Sequence, residues 1–523
     1  MNGRTIIVPV DGASNIKLEV FDLETLECLH SASAPTPTRT VGDLSYNDVG
    51  GEFAWFDEAI RSLPKELKQA AVIAPVARGG SGGLIGRDGA LAEVPGDDLA
   101  LAYTQRYPER VEEWFRELAG SSEEFFVETG SIRDLPGSLT LIKRLVFEEL
   151  ERPDLVEKSA AFGVYGILMS GHFLGNDYLR AWKDAGNEHS YWMCHTGARD
   201  IRGTPGTPSV LARKIASFGR LVPGEPSVVY RASGTVPEDQ ASALGLPDDV
   251  LVTPGGHDTC ISHIPVMSTF FGSFPGMRGK PVIQVEAGSW TMVARIGGSA
   301  ELPADGWRRD ILVQGTVDGE PVVTARYGGG NDFREARRII EAAGGVFSVE
   351  PDERLLEHIT GAADSFVLPN ISPVNHGTGP FPDLRGRIIN ERFLLATPGA
   401  AHIVTSIATS LAAAAQVEAV SPDREISLVL TAGGAKDPFY GRLLATFTGR
   451  TVFAMTDRNG NPVTETTSLG AAMVGKAVCL GIHPYEVEAG SLGITYREVK
   501  PYGGDPADAL HDYGLRWRER VDG

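Results

Sequence analysis

The chain has 523 residues, and its 42% apolar and 22% charged content is that of a globular protein, which excludes wholesale disorder. Its 48 Lys and Arg residues stand against 68 Asp and Glu residues, so the formal net charge is −20. This charge argues against a nucleic-acid partner and against an anionic membrane surface, because phosphate groups would repel it.

The predicted location is the cytoplasm. The first apolar run, at 6–10, is shorter than the roughly 7–15 residues of a signal peptide. The longest small-and-apolar stretch, at 401–420, carries polar residues, and we expect no membrane span there. No two cysteines form a CxxC pair, which predicts a reducing compartment with neither disulfides nor a zinc site; they are Cys28, Cys194, Cys260 and Cys479.

The chain opens with a predicted strand–turn–strand unit. Residues 6–10 are apolar and rich in β-branched side chains, 11–15 form a turn, and 16–22 alternate apolar and polar side chains. Further along the first half, patterning predicts a buried strand, a glycine cluster, two helices and a short strand, at 69–77, 79–83, 108–119, 138–150 and 249–253.

The second half repeats the opening pattern. Residues 282–296 (VIQVEAGSWTMVARI) echo the first strand–turn–strand unit, which suggests a duplicated domain plan. Helices and strands then alternate, as in an α/β protein, with helices predicted at 400–419, 437–448 and 464–480 and strands at 426–431 and 451–455. A Gly/Pro-rich connection at 262–280 places the predicted domains at 1–262 and 263–523.

Glycine-bearing turns at four places are candidate ligand sites, because exposed backbone N–H groups bind phosphate. In the first turn, Gly12 permits close approach of a ligand, Ser14 offers a donor, and Asp11 offers oxygens to Mg²⁺. The alternative is an ordinary Asp-Gly hairpin turn.

The second turn is Pro254-Gly255-Gly256-His257-Asp258-Thr259. An aspartate there is ionised at neutral pH and is a candidate general base toward a substrate hydroxyl. The alternative role of Asp258 is to cap the following helix.

The third turn contains Gly288 and Ser289, and the fourth contains Gly433, Gly434 and Ala435. The glycines of the fourth turn lie between a predicted strand and helix, where a side chain would block a flat ring or a phosphate. For both turns the alternative is that the glycines serve turn geometry alone.

Taken in order, these segments resemble the FGGY carbohydrate kinases of the actin/Hsp70/sugar-kinase superfamily. TAGGAKDPFYGRLLATFTGRTVF with TTSLGAAMVG is similar to the family's adenosine block, PGGHDT to its catalytic-aspartate segment, and VEAGSW to its second phosphate loop. MCHTGARDI and GTGPFP are similar to the rhamnulokinase and L-fuculokinase branch. His195, within the first of these, is expected to have a structural role.

The resemblance implies an α/β fold of two actin-like (ribonuclease H-like) domains with a cleft between them. It implies ATP-dependent phosphorylation of a ketose, deoxyketose or related polyol, with ATP and Mg²⁺ as cofactors. It also implies roles for single residues: Asp258 as general base, His257, Gly80 and Ser81 as sugar contacts, Gly288 and Ser289 at the β- and γ-phosphates, Gly433, Gly434 and Ala435 at adenosine, Gly12 and Ser14 at the γ-phosphate, and Asp11 at Mg²⁺.

The chain departs from the family pattern at the first turn. Family members carry the acidic residue two positions before the glycine, where this chain has Val10, and Asp11 is shifted by one. A shift of one turns a strand side chain to the other face. Glu286 and Ala287 also replace the usual Ser-Thr. An alternative function is therefore a non-catalytic sugar or nucleotide sensor on the same fold. The expected partner is a small-molecule sugar, and a homodimer is left open.

Overall fold

The structure is a computed structural model that describes residues 4–135, 137–185, 196–204, 206–222, 227–298, 301–347, 350–487 and 493–523. The chain forms two compact units. The first comprises Met1–Gly272, Val313–Pro321 and Thr466–Leu492, and the second comprises Ser273–Leu312, Val322–Glu465 and Gly493–Gly523. The main division lies close to the predicted boundary after residue 262, and two later segments belong to the first unit. The functional assignment of each domain stays a prediction.

The first unit is built around the strand Thr5–Asp11. All seven of its residues are buried. It pairs antiparallel with Asn15–Asp22 and parallel with Ala70–Ile73 and Val76–Ala77. The longest path through this eight-stranded sheet runs Gly234–Thr235, Leu251–Val252, Ala70–Ile73, Thr5–Asp11, Asn15–Asp22 and Cys28–Pro35.

Other strands of the first unit form small sheets or pair beside the main path; they are Thr38–Val41, Leu44–Asp48, Gly82–Gly86, Leu99–Leu101, Ser159–Val164 and Gly256–His257. Its helices are Val49–Arg61, Glu109–Ala119, Ser122–Thr129, Ile142–Glu151, Pro153–Lys158, Tyr165–Phe173, Tyr178–Ala185, Val210–Lys214, Phe218–Leu221, Glu238–Leu244, Asp258–Ile261, His263–Ser273 and Thr466–Leu480, with 3-10 turns at Gly137–Leu139 and Pro484–Glu486.

The second unit is built around the same arrangement of strands as the first. Val282–Ala287 pairs antiparallel with Thr291–Ile296 and parallel with Leu428–Thr431. The seven-stranded sheet runs Ile311–Gly315, Pro321–Tyr327, Thr291–Ile296, Val282–Ala287, Leu428–Thr431, Val452–Thr456 and Thr495–Val499. A two-stranded sheet joins Phe366–Val367 to Ile388–Ile389. The helices are Gly329–Ala342, Glu353–Ala362, Glu391–Ala396, Ala400–Val420, Tyr440–Thr448 and Asp505–Asp522, with 3-10 turns at Pro275–Met277, Gly306–Arg308, Pro373–Asn375 and Gly433–Lys436.

Both predicted strand–turn–strand units are therefore present, and in each the first strand also pairs parallel with a strand from much later in the chain. This pairing pattern places each hairpin turn at the end of a parallel strand pair. In open α/β sheets, ligands bind outside the carboxyl ends of parallel strands.

Two predictions of local structure were wrong. The segment predicted as a Gly/Pro-rich connection is largely the helix His263–Ser273, whose proline, Pro265, lies in its first turn, where proline costs a helix little. The strand predicted over 69–77 is broken into Ala70–Ile73 and Val76–Ala77, because Pro75 has no N–H for a strand ladder.

The helix Ala400–Val420 is long and apolar enough to cross a membrane by length and composition alone. In the structure, 78% of its most apolar window is buried inside the protein. Its side chains form part of a hydrophobic core with Leu443, Tyr513 and Trp517. It is a core helix of the second unit.

Candidate active site

The turn of the first hairpin is tightly closed. The Gly12 N–H donates to the carbonyl of Asn15 at 3.1 Å. A Cβ at position 12 would lie 2.7 Å from that carbonyl oxygen, so a glycine is needed here. Ser14 is exposed at the tip. The Asp-Gly pair thus makes a hairpin turn, and contacts of Gly12 and Ser14 with phosphate stay predictions.

Asp11 is held in a buried ion pair. Its carboxylate has no solvent exposure and lies 3.0 Å from Nη1 of Arg78, which also donates to the carbonyl of Gly12 at 2.6 Å. Burial raises the pKa of Asp11, the adjacent Arg78 opposes that rise, and the negative charge of Asp258 adds to it. By the alternation of a strand, Asp11 faces the same side as Ile7, opposite to Val10.

A second buried carboxyl lies in the same cluster. Tyr165 donates its phenolic hydrogen to Oε2 of Glu52 at 2.9 Å, and the Arg78 guanidinium lies 5.2 Å from the centre of the Tyr165 ring. Burial and the negative charge of Asp11 raise the pKa of Glu52 well above its ordinary value. We call Asp11, Glu52, Arg78 and Tyr165 the buried charge cluster. Sequence reasoning missed Glu52 and Arg78, although a single arginine ending the apolar run VIAPVAR was a usable signal.

Asp258 starts the short helix Asp258–Ile261 and keeps 34% of its side chain exposed. Its Oδ1 accepts from the backbone N–H of Thr259 at 2.6 Å and from that residue's hydroxyl at 3.3 Å. Burial on its other sides raises the pKa of Asp258 to about 6, while the Thr259 hydrogen bonds and the charge of Arg78 oppose that rise. Among the described residues, the hydrogen bonds of the Asp258 carboxylate to the start of this helix are the two from Thr259, and they are the support for the alternative role of Asp258 as a helix cap.

His257 is packed rather than open. It is 1% exposed, its Nδ1 lies 3.3 Å from Sγ of Cys260, and a Cβ at Gly79 would lie 2.0 Å from its Nε2. Burial, with the charge of His263, lowers the pKa of His257 to about 3, so the ring is neutral. These contacts favour a packing role, and the predicted substrate contact stays a prediction.

The two other predicted sugar contacts, Gly80 and Ser81, are both buried. Ser81 is 1% exposed, and its hydroxyl accepts from Nε of Arg78 at 3.3 Å. Gly80 is also buried, at a positive φ of 70° and next to the carbonyl of Ser138. Ser81 therefore helps to hold Arg78, and the contacts of Ser81 and Gly80 with a sugar stay predictions.

The residues around Asp11 do not by themselves form a resident Mg²⁺ site. Asp11 is paired with the cation of Arg78, and the described residues contain no group of three His, Cys, Asp or Glu side chains placed to hold a metal. Mg²⁺ in kinase sites is held largely by phosphates and water, with one or two carboxylates. Asp11 as a metal ligand stays a prediction.

The second unit contains a cavity of about 590 Å³ that joins the other two glycine turns. Gly288 and Ser289 line it from the hairpin turn, and Gly433 and Gly434 line it from the loop after Leu428–Thr431. A Cβ at Gly434 would lie 2.4 Å from the Cβ of Ala287, so a side chain at position 434 would collide with the end of the strand Val282–Ala287. Ala435 lines a neighbouring cavity instead, and its contact with adenosine stays a prediction.

Several lining residues of this cavity were not found from the sequence. Gly329 and Gly330 begin the helix Gly329–Ala342, on which Phe333 and Arg334 follow. The GGG run directly after a strand, at 328–330, was a usable signal for them.

His402 forms part of the cavity wall. Its ring stacks on Phe347 at 5.4 Å, and its Nε2 lies 3.0 Å from Oδ2 of Asp437. Asp437 also accepts from the Ser406 hydroxyl at 2.7 Å and from the N–H groups of Phe439 and Tyr440. Burial pushes the pKa of Asp437 upward, but these hydrogen bonds outweigh it and hold the pKa below its ordinary value. Asp437 thus orders the wall, and its charge is already compensated. His195 lies outside the described residues.

Comparison with known proteins gives a family match for part of the chain. Residues 279–481 match the family described as "Carbohydrate kinase FGGY, C-terminal domain". This span contains both glycine turns of the second-unit cavity. No curated protein matches the sequence. The narrower resemblance to the rhamnulokinase and L-fuculokinase branch stays a prediction.

Solved structures share the fold over nearly the whole chain. A carbohydrate kinase from Novosphingobium aromaticivorans is 21% identical with a TM-score of 0.75, covering 100% of this chain and 99% of that one. A ligand-bound xylulose kinase from Lactobacillus acidophilus is 14% identical, with a TM-score of 0.76 and coverage of 99% and 98%. Plasmodium falciparum glycerol kinase with ADP is 13% identical, with a TM-score of 0.71 and coverage of 99% and 98%. The fold is the predicted one, α/β with two actin-like domains.

Proposed function

We propose that this protein is an ATP-dependent kinase that phosphorylates a hydroxyl group of a ketose, a deoxyketose or a related polyol, with Asp258 as the general base. The observation that carries the proposal is the exposure of Asp258. The two carboxyl groups of the buried charge cluster, those of Asp11 and Glu52, are fully buried, whereas Asp258 keeps 34% of its side chain open to an incoming hydroxyl.

In the proposed reaction, a carboxylate oxygen of Asp258 accepts the proton of the substrate hydroxyl. The hydroxyl oxygen forms a bond to the γ-phosphorus as the bond from that phosphorus to the β-phosphate oxygen breaks, and ADP leaves. Phosphoryl transfer needs positioning and charge stabilisation more than covalent chemistry from the protein. A base with a pKa near 6 is ionised at neutral pH yet still basic enough to orient a hydroxyl.

Arg78 acts in this proposal as a positioning residue. It connects the Gly12 carbonyl, the Asp11 carboxylate and the Ser81 hydroxyl. These contacts hold the first hairpin turn and the glycine cluster in one arrangement. The positive charge of Arg78 also opposes the rise in the pKa of Asp258.

The nucleotide is proposed to bind in the cavity of the second unit. Gly433 and Gly434 offer a surface without side chains to the adenosine, and Gly288 and Ser289 offer N–H and hydroxyl groups to the β- and γ-phosphates. The family match over 279–481 supports this assignment. Mg²⁺ is proposed to enter with the nucleotide.

The test is ADP release measured over a panel of pentuloses, deoxyketoses and polyols, together with calorimetric titration of each sugar and of ADP. We expect turnover of at least one panel member. Release of ADP that no sugar accelerates would contradict a sugar kinase, because the acceptor would then be water.

A second candidate, a non-catalytic sugar or nucleotide sensor, is favoured by one observation. The only acidic side chain of the first turn is engaged with Arg78. A sensor would bind a sugar or ADP in the same titrations and release no ADP with any member of the panel.

A further inference from the structure

The cavity of the second unit contains an arginine that forms no ion pair with a carboxylate of the described residues. Arg334 lies one turn into the helix Gly329–Ala342, is exposed, and lines the cavity. Among the described residues, no carboxylate lies within ion-pair distance of it. The next two arginines of the helix differ, since Arg337 pairs with Glu341 and Arg338 with Glu335.

Both described hydrogen bonds of Arg334 go to neutral oxygens. Nη1 donates to the hydroxyl of Ser289 at 3.1 Å, and Nη2 donates to Oδ1 of Asn331. Ser289 belongs to the hairpin turn, so the guanidinium lies against the turn proposed to bind phosphate. A guanidinium has five N–H donors, and its planar fork matches phosphate oxygens in pairs.

Two hydrogen-bonded amides, the half-buried Asn331 and the buried Asn375, position this arginine. Asn331 donates from Nδ2 to Oδ1 of Asn375 at 3.1 Å, and Asn375 in turn donates to Oδ1 of Asp332 at 2.6 Å and to the Gly328 carbonyl at 2.8 Å. Asp332 and Asn375 are both buried. The carboxamide that accepts from Arg334 is therefore held from the interior, and the guanidinium is pre-organised without loss of its charge.

The electrostatics of the cavity agree with an anionic ligand. Its charged lining residues are Arg334, Lys436 and Asp437, and Asp437 is compensated by four hydrogen bonds. The ligand that matches this arrangement has a planar or apolar part for the glycine surface and a phosphate chain for the guanidinium of Arg334 beside Ser289.

We propose that Arg334 binds the phosphate chain of the nucleotide and makes this cavity select nucleoside di- and triphosphates over nucleosides. This inference rests on the proposed function, because it takes the cavity to be the nucleotide site. In addition to the backbone groups of the turn with Gly288 and Ser289, the phosphate chain would then contact a residue of the helix Gly329–Ala342.

The test is calorimetric titration of the full chain with ADP and with adenosine, in buffer with EDTA so that no metal bridges the ligand to the protein. For Arg334→Met we expect ADP affinity to fall about 10-fold or more, because a charge-assisted contact is lost. Adenosine affinity should stay within about twofold. Arg337→Met, on the same helix and also exposed, should change neither affinity.

The outcomes separate the two proposals. If the wild-type protein binds ADP and Arg334→Met binds it equally well, or loses ADP and adenosine affinity alike, the role of Arg334 is overturned and the nucleotide cavity stands. If the wild-type protein binds neither ligand, the nucleotide cavity fails and the inference fails with it. Ser289→Ala should lower ADP affinity less than Arg334→Met does. It removes the hydroxyl that accepts from Arg334 but leaves the positive charge of the guanidinium.

Discussion

The two hairpin turns have the same backbone arrangement, but the arginine that contacts each turn has different partners. In both units a buried strand ends at a glycine, Gly12 or Gly288, and an arginine from elsewhere in the chain donates to the turn. Arg78 is 4% exposed and ion-paired with Asp11. Arg334 is exposed and bonded to neutral oxygens.

Because the partners of the two arginines differ, we expect the two equivalent hairpin turns to have different roles. An arginine whose charge is balanced by a buried carboxylate stabilises one arrangement of the protein. An arginine that is ordered by neutral partners keeps its charge for a ligand. The comparison predicts that substitutions at the first turn lower stability, and that those at the second turn lower nucleotide affinity.

The largest effect on stability is expected for Arg78→Met. It leaves the Asp11 carboxylate buried without its cation, and breaking a buried ion pair on one side costs about 3–5 kcal/mol. Denaturant unfolding followed by circular dichroism measures the loss. Arg87→Met, at an exposed arginine nearby in the chain, should cost less than about 0.5 kcal/mol. Equal stability of the two variants would remove the distinction drawn between the turns.

Gly330→Ala tests the second turn. A Cβ at position 330 would lie 2.3 Å from the Gly288 carbonyl oxygen, so the turn or the helix must move. Overpacking of this kind costs about 1–3 kcal/mol, and we expect a loss of ADP affinity in titration. Gly361→Ala is the matched control, because a Cβ there meets nothing within 4 Å. Unchanged ADP affinity in Gly330→Ala would argue that the turn does not contact the nucleotide.

The pH dependence of kcat/KM tests the electrostatics around Asp258. Its pKa is raised to about 6, and only the ionised form can accept a proton. The rate should therefore be flat above about pH 7 and fall about tenfold per unit well below pH 6. Rates over pH 4.5–8.5 with a saturating second substrate measure it. A profile that stays flat down to pH 4.5 would contradict the raised pKa.

The smallest loss of stability is expected for Glu52→Gln. Because the pKa of Glu52 is raised in the folded state, its contribution to stability is present at low pH and is lost as pH rises through that raised value. Glutamine keeps an acceptor for the Tyr165 hydroxyl and cannot ionise. The variant should equal the wild type near pH 4 and be the more stable of the two in alkaline buffer, by about 1.4 kcal/mol for each unit by which folding raises the pKa of Glu52. Lower stability of Glu52→Gln at every pH would show that the carboxylate is needed ionised.

Local patterns in the sequence were sufficient for the hairpins and for the placement of Asp258. The alternation at 16–22 and the apolar runs at 6–10 and 282–287 are properties of neighbouring residues, and the structure has strands at all three places. The turn with Asp258 was found because Gly-Gly-His-Asp-Thr combines turn and helix-start residues. Each inference needed only a few adjacent positions.

The contacts that distinguish the two turns could not be predicted from local sequence patterns. Arg78 contacts Asp11 from the end of another strand, and Arg334 contacts Ser289 from a later helix. Such contacts depend on register and packing between elements, which periodicity does not specify. The helix at 263–273 was missed for another reason, because its glycine and proline content outweighed the buried apolar residues on either side of Pro265.

Single-turnover phosphoryl transfer from ATP to a sugar that the protein accepts measures whether Asp258 is the base of the reaction. Asp258→Asn should slow that step about 10²–10⁴-fold at pH 8 with ADP affinity unchanged. Asp249→Asn, an exposed aspartate nine positions earlier, should leave it within about twofold of the wild type. A rate for Asp258→Asn within threefold of the wild type would contradict the account.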